Sequence, residues 1–395
     1  AAALADAGLT GDHGNLGRQH HVGNGLGVGG SGVVSGDVEH VAGIAGRLSD
    51  GRNVVGVGEG KSSGSQTQLG QILGHFIHLI LGIGLGGAVQ QAHSLGVGEP
   101  GVQHLSLLVQ GLCDELVLTD LNREKAVGET FDMQHSIEYL GRNIQVHAGD
   151  YHDCADASIV VITASAPMVG DDRLAWLDSS KKILQGIVGP IMAEGFQGHF
   201  IVISNPVDIM SYYVWKISGL PASQVIGTGT SLDTARLKYF IGRELDVDPR
   251  SVHAVVMGEH GDSEMVPWSR ATVGGKQFLR ILADNPKRFG NLTPEGLLAD
   301  TVGAAWEIIE RKGNTCYGIA SATAGIIRAI LHDENRILPV STLLSGEYGQ
   351  RDIYAGVPTI LNRTGAKEVI EVPMTEDEQD RFAASCSIIR SYCEK

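Results

Sequence analysis

A regular alternation of short apolar runs with helical stretches begins at Gly111, and it constrains the fold more than any other feature of this chain. Apolar runs rich in β-branched residues and bounded by turn residues predict buried strands, and the stretches between them predict helices. Because strands joined through helices run parallel, the pattern predicts an α/β fold with a doubly wound parallel sheet. The predicted strands are ELVLT (Glu115–Thr119), SIVVITA (Ser158–Ala164), HFIVIS (His199–Ser204) and QVIGTG (Gln224–Gly229).

The pattern changes after Thr228, where helical stretches flank SVHAVVMGEHGDS and a strand-rich patch precedes a last helix. That helix begins at TEDE (Thr375–Glu378), whose spacing predicts a capping box. We therefore expect a Rossmann-like domain over residues 95–228 and a mixed α/β catalytic domain over residues 229–395.

The first 110 residues have a different composition, with 27 of the 54 glycines and 8 of the 15 histidines. Glycine loses much backbone entropy on folding, and this stretch has few large side chains to compensate for the loss. We expect residues 1–94 to be non-native or disordered.

The border between the two compositions carries GVGEPGVQH, in which Gly96, Gly98 and Gly101 fit the G-x-G-x-x-G turn that binds dinucleotides. Asp120 follows at the distance expected of the acid that binds the ribose. The preceding QQAHSL does not have the pattern of a strand. The sequence therefore predicts an incomplete N-terminal part of the sheet, without its first strand.

The net charge of −15 gives no indication of a nucleic-acid or membrane-surface partner. Five scattered cysteines favour a reducing compartment and argue against disulfides or a zinc cluster. The apolar run Phe76–Val89 is too short to span a bilayer, and no signal peptide is apparent. We expect a cytoplasmic protein without a metal site.

Three side chains form a pattern suited to a 2-hydroxy or 2-oxo acid. His260 lies in GEHGDSEMVPW, and Asp233 and Arg236 in LDTAR share one helix face. A carboxylate orients an imidazole and favours its protonated form, and an arginine binds a substrate carboxylate through two hydrogen bonds. Asn205 in NPVD follows a predicted strand, so it is expected at the sheet edge where α/β proteins bind ligands. An equal alternative to a ligand-binding role for NPVD is a plain helix start with Asp208 in the first turn.

From Gly111 onward the chain resembles the L-lactate dehydrogenases of the lactate/malate dehydrogenase family. The matching stretches, in family order, are DELVLTDLNREKA, ISNPVDI, VIGTGTSLDTARLKYFIG, DPRSVHAVVMGEHGDSE, KGNTCYGIA and DENRILPVS. The resemblance implies NAD as the cofactor, a place in glycolysis and a homotetramer.

The resemblance also implies roles for the matching positions. His260 is expected to donate and accept the proton, Asp233 to orient it, Arg236 to bind the substrate carboxylate and Arg173 to polarise the carbonyl from the active-site lid. Asn205, Met168 and Thr315 are expected to contact substrate. Expected NAD contacts are Asp120, Lys125, Tyr151, Ser165, Ala166, Asn205, Thr228 and, in the glycine turn, Gly96, Gly98 and Gly101.

Met168 departs from the family, which has Gln at this position in lactate enzymes and Arg in malate enzymes. With no cation between Ala164 and Arg173, the second carboxylate of oxaloacetate would be unpaired, so malate is the weaker alternative. A larger apolar 2-oxo acid is a serious alternative to pyruvate, because methionine is flexible and apolar. Lys238 and His253 match the fructose 1,6-bisphosphate site of some bacterial relatives, with Lys in place of Arg.

The N-terminal departure is larger. A family-like sequence would contain GNLGSSI where Gly98–His104 has GEPGVQH, and insertion of one base converts a coding sequence for the first into one for the second. We infer a frameshift in this region. A non-enzymatic alternative follows, in which the chain is an inactive dehydrogenase scaffold that does not hold NAD.

Overall fold

The structure, a computed structural model, describes residues 77–83, 90–96, 100–164, 166 and 173–393. All of them lie in one compact unit, Ser63–Lys395. Residues 1–76 of the stretch that we expected to be non-native or disordered lie outside the described residues.

Six parallel strands form the first part of the main sheet, and they are β2 (Gln90–Gly96), β3 (Glu115–Asp120), β4 (Gln145–Ala148), β5 (Ile159–Ile162), β6 (His199–Val202) and β7 (Val225–Gly227). Their order across the sheet is β4-β3-β2-β5-β6-β7. This is the strand order of a Rossmann fold, and the four strands predicted from the apolar runs are all present. The helices that follow strands of this set are α1 (Pro100–Val109), α2 (Arg123–Ser136), α3 (Arg173–Ala193), α4 (Val207–Ser218) and α5 (Ser231–Leu245).

The expectation that no strand precedes Gly96 is wrong. β2 ends at Gly96 and pairs in parallel with both β3 and β5. A further strand, β1 (Ile77–Ile83), pairs antiparallel with the same two neighbours. The hydrogen bonds between strands join backbone N–H and C=O groups, and every residue except proline carries both. A segment without a strand-like side-chain pattern can therefore still fill the position between β3 and β5.

An antiparallel meander extends the same sheet beyond β7, through the pairing of Ser341 with Gly227. Its strands are β11 (Arg336–Ser345), β12 (Arg351–Asn362) and β13 (Gly365–Val369), and a separate small sheet holds β8 (Val252–His253), β9 (Thr272–Val273) and β10 (Lys276–Gln277). The remaining helices are α6 (Phe278–Asp284), α7 (Pro286–Phe289), α8 (Pro294–Lys312), α9 (Tyr317–Leu331) and α10 (Glu376–Cys393).

The predicted capping box at the start of α10 is confirmed. The backbone N–H of Glu378 donates to Thr375 Oγ1 at 3.3 Å, and the backbone N–H of Thr375 donates to Glu378 Oε2 at 3.0 Å. The reciprocal bonds satisfy two donors that the first helical turn leaves unpaired.

The core lies on both faces of the sheet. Alternate residues of β5 belong to different apolar clusters, Val160 and Ile162 to one and Ile159 and Val161 to the other. This division is what helices on both faces of a doubly wound sheet require. No helix in the described ranges is both long enough and apolar enough to cross a membrane.

Candidate active site

Helix α5 carries two of the expected functional side chains on one face. Asp233 lies in its first turn, where the helix dipole favours a negative charge. Arg236, one turn later, donates from Nη1 to Asp233 Oδ1 at 2.9 Å. Both side chains are buried or nearly so, at 3% exposure for Asp233 and 12% for Arg236.

The loop Gly258–Glu264 carries His260 and is held by the C-terminal helix. Gly258 has φ +96°, and a Cβ there would lie 2.4 Å from Ser385 Oγ, so the position requires glycine. The next residue, Glu259, donates its backbone N–H to Ser385 Oγ at 2.8 Å. The loop is closed by mutual backbone hydrogen bonds between Met257 and Met265.

Thr230 at the N-cap of α5 and Thr234 in its first turns fix the segment that leads into this loop. Thr230 donates from its hydroxyl to the carbonyl of Val256 at 2.6 Å, and the backbone N–H of Val256 donates to Thr234 Oγ1 at 2.9 Å. These bonds hold the chain before His260 against the first turn of the helix that carries Asp233.

The result is a close pair between His260 and Asp233. His260 Nδ1 lies 2.6 Å from Asp233 Oδ2, and because an ionised carboxylate can only accept, Nδ1 carries the proton. Nε2 is thereby left to exchange a proton with a ligand. The His260 side chain is 26% exposed, so a ligand can reach it.

A second carboxylate fixes the backbone of His260. Asp208, in the first turn of α4, accepts the His260 N–H at 2.8 Å and the Ser341 hydroxyl at 2.5 Å. The sequence suggested either a helix start or a ligand-binding edge for NPVD. Asp208 lies at a helix start and also holds the loop that carries His260. Burial raises the pKa of Asp208 to about 6, against the lowering effect of these two donors.

The electrostatics of the pair favour a protonated imidazole. Burial by itself would lower the pKa of His260, but the charge and hydrogen bond of Asp233 oppose it and raise the pKa to about 9. Burial would likewise raise the pKa of Asp233, and its interactions with His260 and Arg236 outweigh that effect and lower it. The arrangement can hold a proton above neutral pH and deliver it to a substrate oxygen.

Other expected cofactor residues lie at the carboxyl edge of the parallel strands. Asp120 is the last residue of β3 and accepts the Asn122 N–H at 2.8 Å, while burial raises its pKa. Asn205 follows β6 and is exposed, and Thr228 follows β7 and is buried. The edge is the place where open α/β sheets bind their ligands.

The remaining expected residues are more dispersed. Lys125 in α2 and Tyr151 are half-buried, Thr315 lies in the turn between α8 and α9, and Ala166 is buried with its N–H bonded to Ser180 Oγ. Gly96 ends β2, Gly101 lies in α1 and Arg173 is the first residue of α3. Ser165, Met168 and Gly98 lie outside the described residues.

Lys238 and His253 line one cavity of about 330 Å³, together with Arg270. Burial lowers the pKa of Lys238, with a further contribution from the nearby Arg336. The structure thus brings the two residues expected to bind an effector into the lining of one cavity.

Two carboxylates and two hydroxyls near His260 were not found by sequence reasoning. Asp208 had a signal, since it stands in the NPVD motif. Glu264, Ser341 and Ser385 had none, because their relation to His260 depends on contacts between distant parts of the chain. Glu264 is 5% exposed, and ligand atoms of Glu264, Asp233 and His260 all lie within 4.8 Å of one another.

Comparisons with known proteins identify the family of the chain. Residues 94–227 match the family model of the lactate/malate dehydrogenase NAD binding domain, and residues 230–395 match that of the lactate/malate dehydrogenase alpha/beta C-terminal domain. L-lactate dehydrogenase 3 of Bacillus cereus is 50% identical over 288 residues, which cover 73% of this chain and 91% of the relative. L-lactate dehydrogenase 1 of Bifidobacterium longum is 47% identical over 302 residues, which cover 76% of this chain and 96% of the relative.

A solved structure is similar over the same region. The minor L-lactate dehydrogenase from Enterococcus mundtii, in its ligands-bound form, superposes with a TM-score of 0.70 at 42% identity, over 74% of this chain and 94% of the other. With the His260–Asp233 pair at the edge of a Rossmann sheet, these matches show that the chain belongs to the lactate/malate dehydrogenase family of NAD-dependent oxidoreductases.

Proposed function

We propose that this chain catalyses reversible hydride transfer between NADH and pyruvate or another short 2-oxo acid, as an NAD-dependent L-lactate dehydrogenase. The observation that carries the proposal is the 2.6 Å contact between His260 Nδ1 and Asp233 Oδ2, with Arg236 on the other oxygen of the same carboxylate. In this proposal residues 95–228 bind NAD and residues 229–395 supply the catalytic groups.

His260 acts as the general acid in the direction of reduction. Its Nε2 donates a proton to the C2 oxygen of the substrate, and in the reverse direction it accepts that proton from the hydroxyl. Asp233 keeps the imidazole in the required tautomer and stabilises its charged form. Asp208 holds the backbone of the loop, so that the ring keeps its position during the exchange.

Arg236 binds the substrate carboxylate. A guanidinium has five N–H donors in a planar fork, and its bond from Nη1 to Asp233 uses one of them. The rest of the fork provides a bidentate site next to His260, which places C2 of the substrate within reach of the imidazole.

NAD supplies the hydride chemistry, and the residues at the sheet edge suit its binding. The Asp120 carboxylate at the end of β3 would accept a ribose hydroxyl and repel the 2′-phosphate of NADP. Lys125, Tyr151, Ser165, Ala166, Asn205 and Thr228 would line the rest of the site, and the turn containing Gly96, Gly98 and Gly101 would face the pyrophosphate. Arg173, as part of a closing lid, would meet the charge that develops on the C2 oxygen.

Met168 and Thr315 would set the substrate range. An apolar Met168 favours pyruvate or a larger apolar 2-oxo acid and leaves the second carboxylate of oxaloacetate without a cation. A panel of pyruvate, 2-oxoisocaproate and oxaloacetate with NADH tests this order. Turnover of oxaloacetate above that of both monocarboxylates would contradict the proposed range.

The catalytic assignment is tested with His260→Asn. We expect a loss of about 10²-fold or more in kcat with pyruvate, since general acid catalysis is removed. His135→Asn, at an exposed position in α2, is the matched control and should keep normal activity. Normal kcat in His260→Asn would remove His260 from the mechanism, and wild-type protein that shows neither turnover nor NADH fluorescence enhancement would support the inactive-scaffold alternative.

The proposal extends to regulation and assembly. Lys238, His253 and Arg270 line one cavity and suit the phosphates of fructose 1,6-bisphosphate. We propose weak activation by this effector in a cytoplasmic homotetramer. Activation that persists unchanged in His253→Ala would place the effector elsewhere. Mass measurement in solution tests the tetramer.

A further inference from the structure

Glu264 is a buried carboxyl that the catalytic mechanism above does not use. It lies at the end of the loop that carries His260, and only 5% of the residue is exposed. Its Oε1 is buried and has no hydrogen-bond partner among the described residues. An unpaired buried carboxyl costs stability, so its presence beside a catalytic pair calls for a functional explanation.

The position of Glu264 couples it to the proton-bearing group. Ligand atoms of Glu264, His260 and Asp233 all lie within 4.8 Å of one another. At this distance and in a buried site, charges on neighbouring groups interact strongly enough that their protons are lost as a set.

We propose that Glu264 is a positioning residue that acts through His260, extending to higher pH the range in which the imidazole keeps its proton. The proposal rests on the function proposed above. When Glu264 is neutral, the charges of His260, Asp233, Arg236 and a bound substrate carboxylate sum to zero. When Glu264 ionises, its negative charge attracts the imidazole proton and delays its loss.

The charges around Glu264 are consistent with this role. Burial raises the pKa of Glu264 to about 9, with a further rise from Asp233, while His260 and Arg236 lower it and Asp262 raises it. The charge of Glu264 in turn raises the pKa of His260, in addition to the larger effect of Asp233 and that of Asp208. The charge of each group therefore affects the pKa of the other, as expected of two interacting sites.

Asp233, His260 and Glu264 have the donor atoms of a metal site, but the charges around them argue against metal binding. Both oxygens of Asp233 already accept hydrogen bonds, one from Arg236 and one from His260. The raised pKa of His260 keeps a proton where a metal would need a lone pair, and the guanidinium would repel a cation. The geometry therefore points to proton control.

The test is Glu264→Gln, which keeps the shape of the side chain and removes its ability to ionise. At pH 6 to 7 we expect kcat with pyruvate within about threefold of the wild type, because glutamine resembles the neutral acid. The alkaline limb of the pH profile should move to lower pH by about 0.5 to 1 unit, since the ionised carboxylate no longer supports the imidazolium. The same shift should appear in the pKa of His260 measured by NMR on the protein without substrate, which does not depend on activity.

Two further variants separate this role from a structural one. Asp262→Asn removes a negative charge from an exposed position of the same loop, and its alkaline limb should move much less. Glu264→Leu should show the same pH shift as Glu264→Gln while unfolding at higher denaturant concentration, because it removes an unpaired polar group. An unmoved limb and an unmoved His260 pKa in Glu264→Gln, or an equal shift in Asp262→Asn, would overturn the proposal. Loss of the proposed activity in wild-type protein would be a separate failure, because the NMR titration would still report on the coupling.

Discussion

His104 in α1 and His260 in the loop after β8 both lie in the interior, but they differ in the hydrogen-bond partners and charges around the imidazole ring. Both ring nitrogens of His104 are buried and have no partner among the described residues, and burial lowers its pKa to about 3. His260 meets Asp233 at 2.6 Å, and its pKa rises to about 9 in spite of burial. The same side chain is thus a neutral group in one place and an acid in the other.

The difference teaches that burial and electrostatic partners must be judged together. Gln103, beside His104, also has a buried and unpaired Oε1. Around His260, by contrast, Asp208, Asp233 and Ser341 join in one network of hydrogen bonds. Burying these polar atoms of Gln103 and His104 without partners costs stability, and this cost is consistent with the inferred frameshift near residues 98–104.

The largest effect should come from removing the charged partner of His260, so that its ring is buried without one, as the ring of His104 is. Asp233→Asn removes the carboxylate that holds the proton, so the pKa of His260 should fall and kcat/KM with pyruvate should drop by about 10³-fold. Steady-state kinetics and an NMR titration of His260 measure the two effects. Asp246→Asn, at the exposed end of the same helix, should change kcat/KM less than twofold, and a similar loss there would contradict the assignment.

The next effect concerns the turn before α1. Glu99→Asn with Pro100→Leu restores the family-like residues, removes a negative charge from the glycine turn and returns a backbone N–H at the helix start. We expect NADH to bind about tenfold more tightly, measured by fluorescence titration. Val102→Ser, Gln103→Ser and His104→Ile restore the other three positions and should leave NADH affinity nearly unchanged while increasing stability. Equal NADH affinity in both variants and the wild type would contradict the inferred damage.

A smaller effect should follow from removing the unpaired imidazole alone. His104→Leu replaces an unsatisfied polar ring by an apolar side chain of similar size, and we expect the free energy of unfolding to rise by about 1 to 3 kcal/mol. Denaturant titration measures this change. His135→Leu, at an exposed position of α2, should change the free energy of unfolding by less than about 0.5 kcal/mol. A loss of stability in His104→Leu would mean that the ring has a partner.

The last effect, which is small near neutral pH, is the pH dependence of that difference. The folded-state pKa of His104, about 3, lies below its ordinary value of 6.5, so between these values the unfolded chain binds a proton that the folded chain does not. The wild type should lose about 1.4 kcal/mol per pH unit below 6.5 relative to His104→Leu, down to the range where other groups dominate. His260 has the opposite sign, because its raised pKa stabilises the fold below 6.5 and this contribution is lost as pH rises toward 9. A difference that stays constant from pH 7 to pH 5 would contradict the neutral state of His104.

The strands β3, β5, β6 and β7 were predictable because each is buried on both faces and therefore appears as an apolar run. The pairing of Asp233 with Arg236 was predictable because positions three apart share a helix face. β2 was not predictable in this way, since QQAHSL lacks a strand pattern and its place in the sheet depends on the neighbours β3 and β5.

The sequence by itself determined the class of fold, the family and the identity of the groups that can exchange a proton and bind a carboxylate. The tertiary structure decided which of these groups act on one another, because the contacts join residues far apart in the chain. Asp233 and His260 are separated by 27 residues, and Asp208 and His260 by 52. It also decided that His104 is neutral, His260 charged and Glu264 coupled to it, since a pKa depends on burial and on nearby charges that no local pattern encodes.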